Sequence, residues 1–114
     1  MGNIAVGKKG EELACTYLMR HGYKILETNR RFSRFCEIDI IAQDKTTTVF
    51  CEVKTRRNNI CGNPAEAVTK AKYQNIKKGV FFYLHENPNI KRFRIDVISI
   101  ILEPKLEINH IKNV

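Results

Sequence analysis

The chain has 114 residues, which suits one domain and leaves no room for a second folded unit of ordinary size, so residues 1–114 are read as a single domain. Hydrophobic residues at 43% and charged residues at 28% argue against a disordered or fibrous chain, and no apolar run reaches the ~18 residues of a spanning helix. Twenty Lys and Arg against twelve Asp and Glu leave a net charge of +8 and a pI near 9.5, a field that draws polyanions.

Nucleic acid is the expected partner. An acidic membrane would want a basic amphipathic helix with large apolar anchors, and the sequence favours nucleic acid over it. Residues 1–10 lack the apolar core of a signal peptide, which gives a cytoplasmic expectation. Leu13, Ala14, Tyr17 and Leu18 fall at helical spacing and predict a first helix over 10–21, with Gly22 as the left-handed residue that closes it. Residues 23–28 read as a strand, and the basic stretch 29–34 either prolongs it or turns the chain, leaving Arg30, Arg31 and Arg34 on a rim.

Residues 35–42 alternate, with Cys36, Ile38, Ile40 and Ala42 on one face and Glu37, Asp39 and Ile41 on the other. Residues 47–55 do the same, placing Val49, Cys51 and Val53 opposite Phe50, Glu52 and Lys54. The short polar segment 43–46 predicts a hairpin turn between them. Asn63-Pro64-Ala65-Glu66 has the form of a helix start, and Ala65, Val68, Ile76, Val80 and Tyr83 carry the helix to about Leu84, before Asn87-Pro88. Lys70, Lys77 and Lys78 fall on its exposed side. Phe93, Ile95 and Val97 alternate with Arg94 and Asp96 and open a buried strand that runs to 102. Residues 103–114 add an edge strand through Leu106, Ile108 and His110, or a tail.

The predicted order is α-β-β-β-α-β, an α/β chain. Cys15, Cys36, Cys51 and Cys61 form no C-x-x-C pair, so neither a zinc site nor a disulfide framework is expected, and Cys36 and Cys51 read as small hydrophobes.

A turn centred between Lys45 and Thr46 sets Asp39 opposite Glu52 and Glu37 opposite Lys54. Facing Cβ atoms lie ~5 Å apart, and like charges there cost up to ~1 kcal/mol. A divalent cation would offset that repulsion, since Mg²⁺ takes one or two carboxylates plus water and phosphate oxygens. Lys54 on the same face would then stand beside the metal, where an ammonium positions water or steadies charge on a phosphate. The plainer alternative is a solvated face on which Glu37 and Lys54 make an ordinary cross-strand ion pair.

Gly10-Glu11 with Ala14 and Leu18, Gly22-Tyr23, Asn29, Glu37-Ile38-Asp39-Ile40-Ile41-Ala42 and Phe50-Cys51-Glu52-Val53-Lys54-Thr55-Arg56 closely resemble the YraN-like family of small bacterial proteins, over nearly the whole chain. By fold that family belongs to the PD-(D/E)-x-K, or restriction-endonuclease-like, nucleases, which include archaeal Holliday-junction resolvases. The resemblance implies a mixed central sheet flanked by helices, with Asp39 as the motif's Asp and Glu52-Val53-Lys54 as its (D/E)-x-K. It also implies that Glu11 completes the metal environment and that Lys72 serves the site from the second helix. Read by themselves, Glu11 is equally a first-turn acid favoured by the helix dipole, and Lys72 a solvated helix lysine. The family usually has Gly where this chain has Cys36 and often Val where it has Cys51. Its Arg and Asp near the last strand are matched loosely by Arg94 and Asp96, read first as structural support.

The function that the resemblance implies is therefore a metal-dependent endonuclease that hydrolyses DNA phosphodiesters, with branched or junction DNA among its expected substrates. Mg²⁺ or Mn²⁺ would sit on Asp39 and Glu52, with Glu11 acting through water and Lys54 at the water or phosphate. Arg30, Arg31, Arg34, Arg56, Arg57, Lys70, Lys72, Lys77 and Lys78 are the expected nucleic-acid contacts, and a homodimer is the expected assembly. The alternatives are a non-catalytic nucleic-acid-binding module on the same fold and a scaffold whose basic face docks an acidic protein.

Overall fold

Two helices lie on opposite faces of one five-stranded sheet in the computed structural model, which describes residues 3–34, 36–58 and 69–114. The elements are α1 (Asn3–Arg20), β1 (Lys24–Ser33), β2 (Cys36–Asp44), β3 (Thr47–Arg56), α2 (Lys70–Glu86), β4 (Arg92–Ile101) and β5 (Glu107–Ile111). The strands lie in the order β1-β2-β3-β4-β5, and all neighbours are antiparallel except β3 and β4. A parallel pair needs a crossover, and the chain that joins β3 to β4 contains α2. The predicted order holds, and residues 107–111 form the edge strand foreseen for the tail.

Helix α1 begins seven residues before the expected Gly10, because the glycines at 7 and 10 weaken the sequence signal for a helix while close packing on the sheet supports one. Gly10 is buried against β3, so near that a Cβ there would overlap the Thr55 side chain. At the other end Gly22, at φ 86°, takes the left-handed conformation that closes the helix. Thr69 caps α2, its hydroxyl accepting the Lys72 N–H at 3.1 Å, so this helix starts at Lys70. The start expected at Asn63–Glu66 lies outside the described residues. Asn87 ends the helix as foreseen, its side-chain amide donating to the Tyr83 carbonyl at 3.0 Å.

Strand β3 keeps the predicted alternation: Val49, Cys51 and Val53 join the core under α1, whereas Phe50 joins the core under α2. Strand β2 does not. Ile40 and Ala42 pack toward α1, but Ile38 packs with Ile41, Ile76 and Val80 on the α2 side. The side-chain phase slips by one at Asp39, which corrects the expected grouping of Cys36, Ile38, Ile40 and Ala42. Cys36 follows Ile38, its thiol donating to the Asn75 carbonyl of α2 at 2.9 Å. Asn29 of β1, between Thr28 opposite Ile40 and Arg30 opposite Ile38, takes a left-handed φ of 51° at the same level.

Strand β4 is buried on both faces, as its apolar run predicted, yet it contains Asp96 at 0% exposure. Arg94 Nε at 3.1 Å, His110 Nε2 at 2.7 Å and the Asn113 N–H at 3.0 Å surround the Asp96 carboxylate. Burial alone would raise its pKa, but these partners outweigh it and hold the group below the ordinary carboxylate value. Arg94 also reaches Asp44 and the Tyr23 hydroxyl, and His110 meets the Tyr17 hydroxyl at 3.1 Å, so the network pins β5 and the chain's end to α1. Arg94 and Asp96 are structural, as read. Among the described residues no helix is long and apolar enough to cross a membrane.

Gly10→Ala separates helix propensity from packing. Propensity alone favours Ala by about 0.5–1 kcal/mol, whereas overlap with Thr55 should destabilise by about 1–3 kcal/mol. Urea denaturation should show a lower midpoint for the variant, and an equal or higher midpoint would contradict the contact.

Candidate functional site

The β2–β3 ladder runs from the hairpin turn as far as the Ile40–Cys51 pair. One residue further the Asp39 carboxylate, at 2.8 Å, accepts the Val53 N–H that a β2 carbonyl would otherwise have taken. Here the strands part, and Asp39 and Glu52 lie together at the fork. Glu52 is 2% exposed, and its Oε1 lies 2.6 Å from Lys72 Nζ of α2. That short ion pair sets the ammonium directly against a buried carboxylate oxygen.

Two clefts open on this trio. One of 430 Å³ is lined by Asp39, Glu52 and Lys72 together with Arg31, Arg34, Glu37 and Asn75. The other, of 730 Å³, shares the same three residues and adds Glu11, Lys54, Arg56 and Arg57. Burial first, and then the neighbouring Glu52 charge, raise Asp39 from 3.8 to about 7, against the Val53 N–H, which favours the charged form. Burial also raises Glu11; a hydrogen bond from the Asn29 side chain works against it, and the Glu37 and Glu52 charges add to it. Burial opposes the Lys72 ammonium, but the Glu52 contact and the charges of Asp39 and Glu37 outweigh burial and raise its pKa.

All four residues expected at the chemistry, Glu11, Asp39, Glu52 and Lys54, therefore meet at one cleft. The expected Glu37–Lys54 pairing is not formed. Glu37 pairs with Arg31 at 2.9 Å, because the hairpin register cannot be extended past the fork. Lys72 is half-exposed, as a helix lysine would be, and its ammonium also neutralises Glu52. Arg30 is engaged by Glu86 at 2.8 Å and by Glu27 at 3.3 Å, so its fork is already occupied. Arg31, Arg34, Arg56 and Arg57 line the two clefts, and Lys70, Lys77 and Lys78 stand exposed along α2. Asn29, which holds Glu11, was not singled out as a site residue by sequence reasoning; its left-handed conformation gives no sequence signal beyond the Asn itself.

Among the described residues no three His, Cys, Asp or Glu side chains form a cage for a metal ion. Two neighbouring carboxylates on an open cleft nonetheless match Mg²⁺, which completes its shell with water and phosphate. The class defined is a small mixed α/β domain with a paired-carboxylate cleft rimmed by arginine.

Residues 10–100 match the family described as uncharacterised protein family UPF0102. A UPF0102 protein of Syntrophomonas wolfei is 45% identical over 113 residues, which span 97% of each chain. One from Geobacter metallireducens is 47% identical, across 97% of this chain and 92% of its own, and one from Dictyoglomus thermophilum is 44% identical over 103 residues, across 90% and 86%. The chain belongs to the UPF0102 family, the YraN-like proteins.

Between pH 3.8 and about 7 the folded protein holds a proton at Asp39 that the unfolded chain has released, so this group's contribution to stability falls as pH rises through 7. Asp39→Asn removes that loss. In chelator, thermal melts at pH 5 and pH 8 should show the variant gaining on wild type at the higher pH, whereas an equal difference at both would contradict the raised pKa.

Proposed function

We propose that this protein is a metal-dependent nuclease of the PD-(D/E)-x-K type that hydrolyses DNA phosphodiesters. The observation that carries the reading is the meeting of Asp39 and Glu52 at the fork of β2 and β3, with Lys54 and Glu11 facing the same cleft. Asp39 and Glu52 would hold Mg²⁺ or Mn²⁺, whose chemistry there is to stabilise the charge that builds on a phosphate under attack. Val53 N–H fixes the Asp39 carboxylate and leaves the rest of that group to face the cleft. Lys54 supplies a positive charge at the cleft wall, suited to orient the attacking water or to steady the phosphate oxygens. Glu11, whose pKa burial raises, would hold a water by hydrogen bond, with the Asn29 side chain as its neighbour. Arg34, Arg56 and Arg57 bind the flanking phosphates, and Arg31, paired with Glu37, lines the cleft beside them. In the hydrolysis a water oxygen bonds to phosphorus, the ester P–O bond breaks, and the proton passes to the leaving oxygen.

A second reading, a nucleic-acid-binding module without turnover, draws support from Lys72, whose ammonium already neutralises Glu52. Plasmid, linear and four-way-junction DNA incubated with Mg²⁺ or Mn²⁺ separate the two. Wild type should cleave at least one of them, and Glu52→Gln and Lys54→Ala should each lose about 10²-fold or more in rate. Both variants should keep DNA affinity that falls with rising salt. Metal-dependent cleavage that survives Glu52→Gln, or DNA binding by wild type with no cleavage of any substrate, would overturn the nuclease reading.

A further inference from the structure

Helix α2 joins the candidate site to a second feature that the chemistry leaves unused. Near its start Lys72, Asn75 and Ile76 line the smaller cleft; further along, Phe81 and Phe82 stand 60% and 47% exposed. From Asn75 to Phe82 the helix rises only about 10 Å, so the aromatic pair lies within the reach of a strand seated in the cleft. A shallow cavity of 270 Å³ beside the pair is lined by Gln74, Lys77, Lys78, Phe81 and Phe82. Each lysine lies one helical turn before a phenylalanine, and among the described residues none that lines this cavity is acidic. The Phe82 ring is not loose. It stacks on Phe32 of β1 at 6.2 Å and 15°, while Phe81 packs edge-on to Phe82 at 6.1 Å.

Rings that are exposed and interleaved with lysine suit a nucleobase better than a protein partner. The core of a protein interface is depleted of lysine, whereas single-stranded nucleic acid offers a π-face at each base and a phosphate within reach of each ammonium. A duplex keeps its bases stacked on one another and has no faces to give. We propose that Phe81 and Phe82, with Lys77 and Lys78, form a stacking platform for single-stranded nucleic acid adjoining the strand held in the cleft. The proposal rests on the nucleic-acid reading of that cleft and makes a single-stranded flank part of the substrate.

Fluorescence anisotropy in chelator, with a labelled single strand and a blunt duplex of equal length, tests binding without cleavage. Phe81→Ala/Phe82→Ala should weaken single-strand binding about tenfold or more and change duplex binding less than twofold. Phe81→Leu/Phe82→Leu, which keeps apolar bulk without a ring, should behave like the alanine pair, and Phe82→Tyr should retain affinity. Circular dichroism must show all variants folded. Equal losses on both substrates, no loss on the single strand, or a wild-type dimer that the alanine pair dissociates would overturn the platform. An effect of the rings on single-strand binding in a protein that cleaves no DNA would uphold the platform and remove the nuclease reading alone.

Discussion

The hydrogen bond from the Val53 N–H to the Asp39 carboxylate is the point on which the candidate site depends. It satisfies a donor that β2 abandons when it leaves β3, so the sheet opens there without a buried orphan. The same step shifts β2's side-chain phase by one, which sends Ile38 and Cys36 under α2 and lets Asp39 share its surroundings with Glu52. A straight hairpin would have closed the cleft. Two carboxylates in one partly dry place are a destabilising pair, and the fold answers with the Lys72 ammonium at 2.6 Å from Glu52 and with a proton held at Asp39 to about pH 7.

A second buried acid shows what a purely structural solution looks like. Asp96 is as enclosed as Glu52, but Arg94, His110 and the Asn113 N–H surround it, and its pKa falls where that of Asp39 rises. Within one sheet, then, one carboxylate is fully satisfied and another group is left under-satisfied beside an open cleft. Under-satisfied, desolvated acids in a cleft are where a binding or catalytic role is physically favoured.

Much of this was legible in the sequence. Strand β3 could be read because its alternation is unbroken and its two faces enter different cores, and β4 because an apolar run that long requires cover on both sides. Asp39, Glu52 and Lys54 were found from hairpin spacing that holds as far as Ile40 and Cys51 and then fails, which is why the Glu37 partner was misjudged. The first turns of α1 were hidden by Gly7 and Gly10, of which Gly10 packs against β3 instead of breaking the helix. The ion pair of Lys72 with Glu52 was not legible because the two lie 20 positions apart in the chain, and a lysine on a helix carries no local sign of such a partner. The phase slip at Asp39 has no signal of its own, since Ile38 and Ile40 are equally apolar and either face would take them.

The central claim is the proposal that the fork of β2 and β3 is a two-carboxylate seat for a divalent cation, with the Lys72 ammonium beside Glu52. Crystals grown with Mn²⁺ and measured for anomalous scattering test it most directly. The account predicts a peak about 2.0–2.3 Å from carboxylate oxygens of both Asp39 and Glu52, with Lys72 Nζ moved away from Glu52. A map without a peak there at saturating Mn²⁺, with Lys72 still on Glu52, would contradict it.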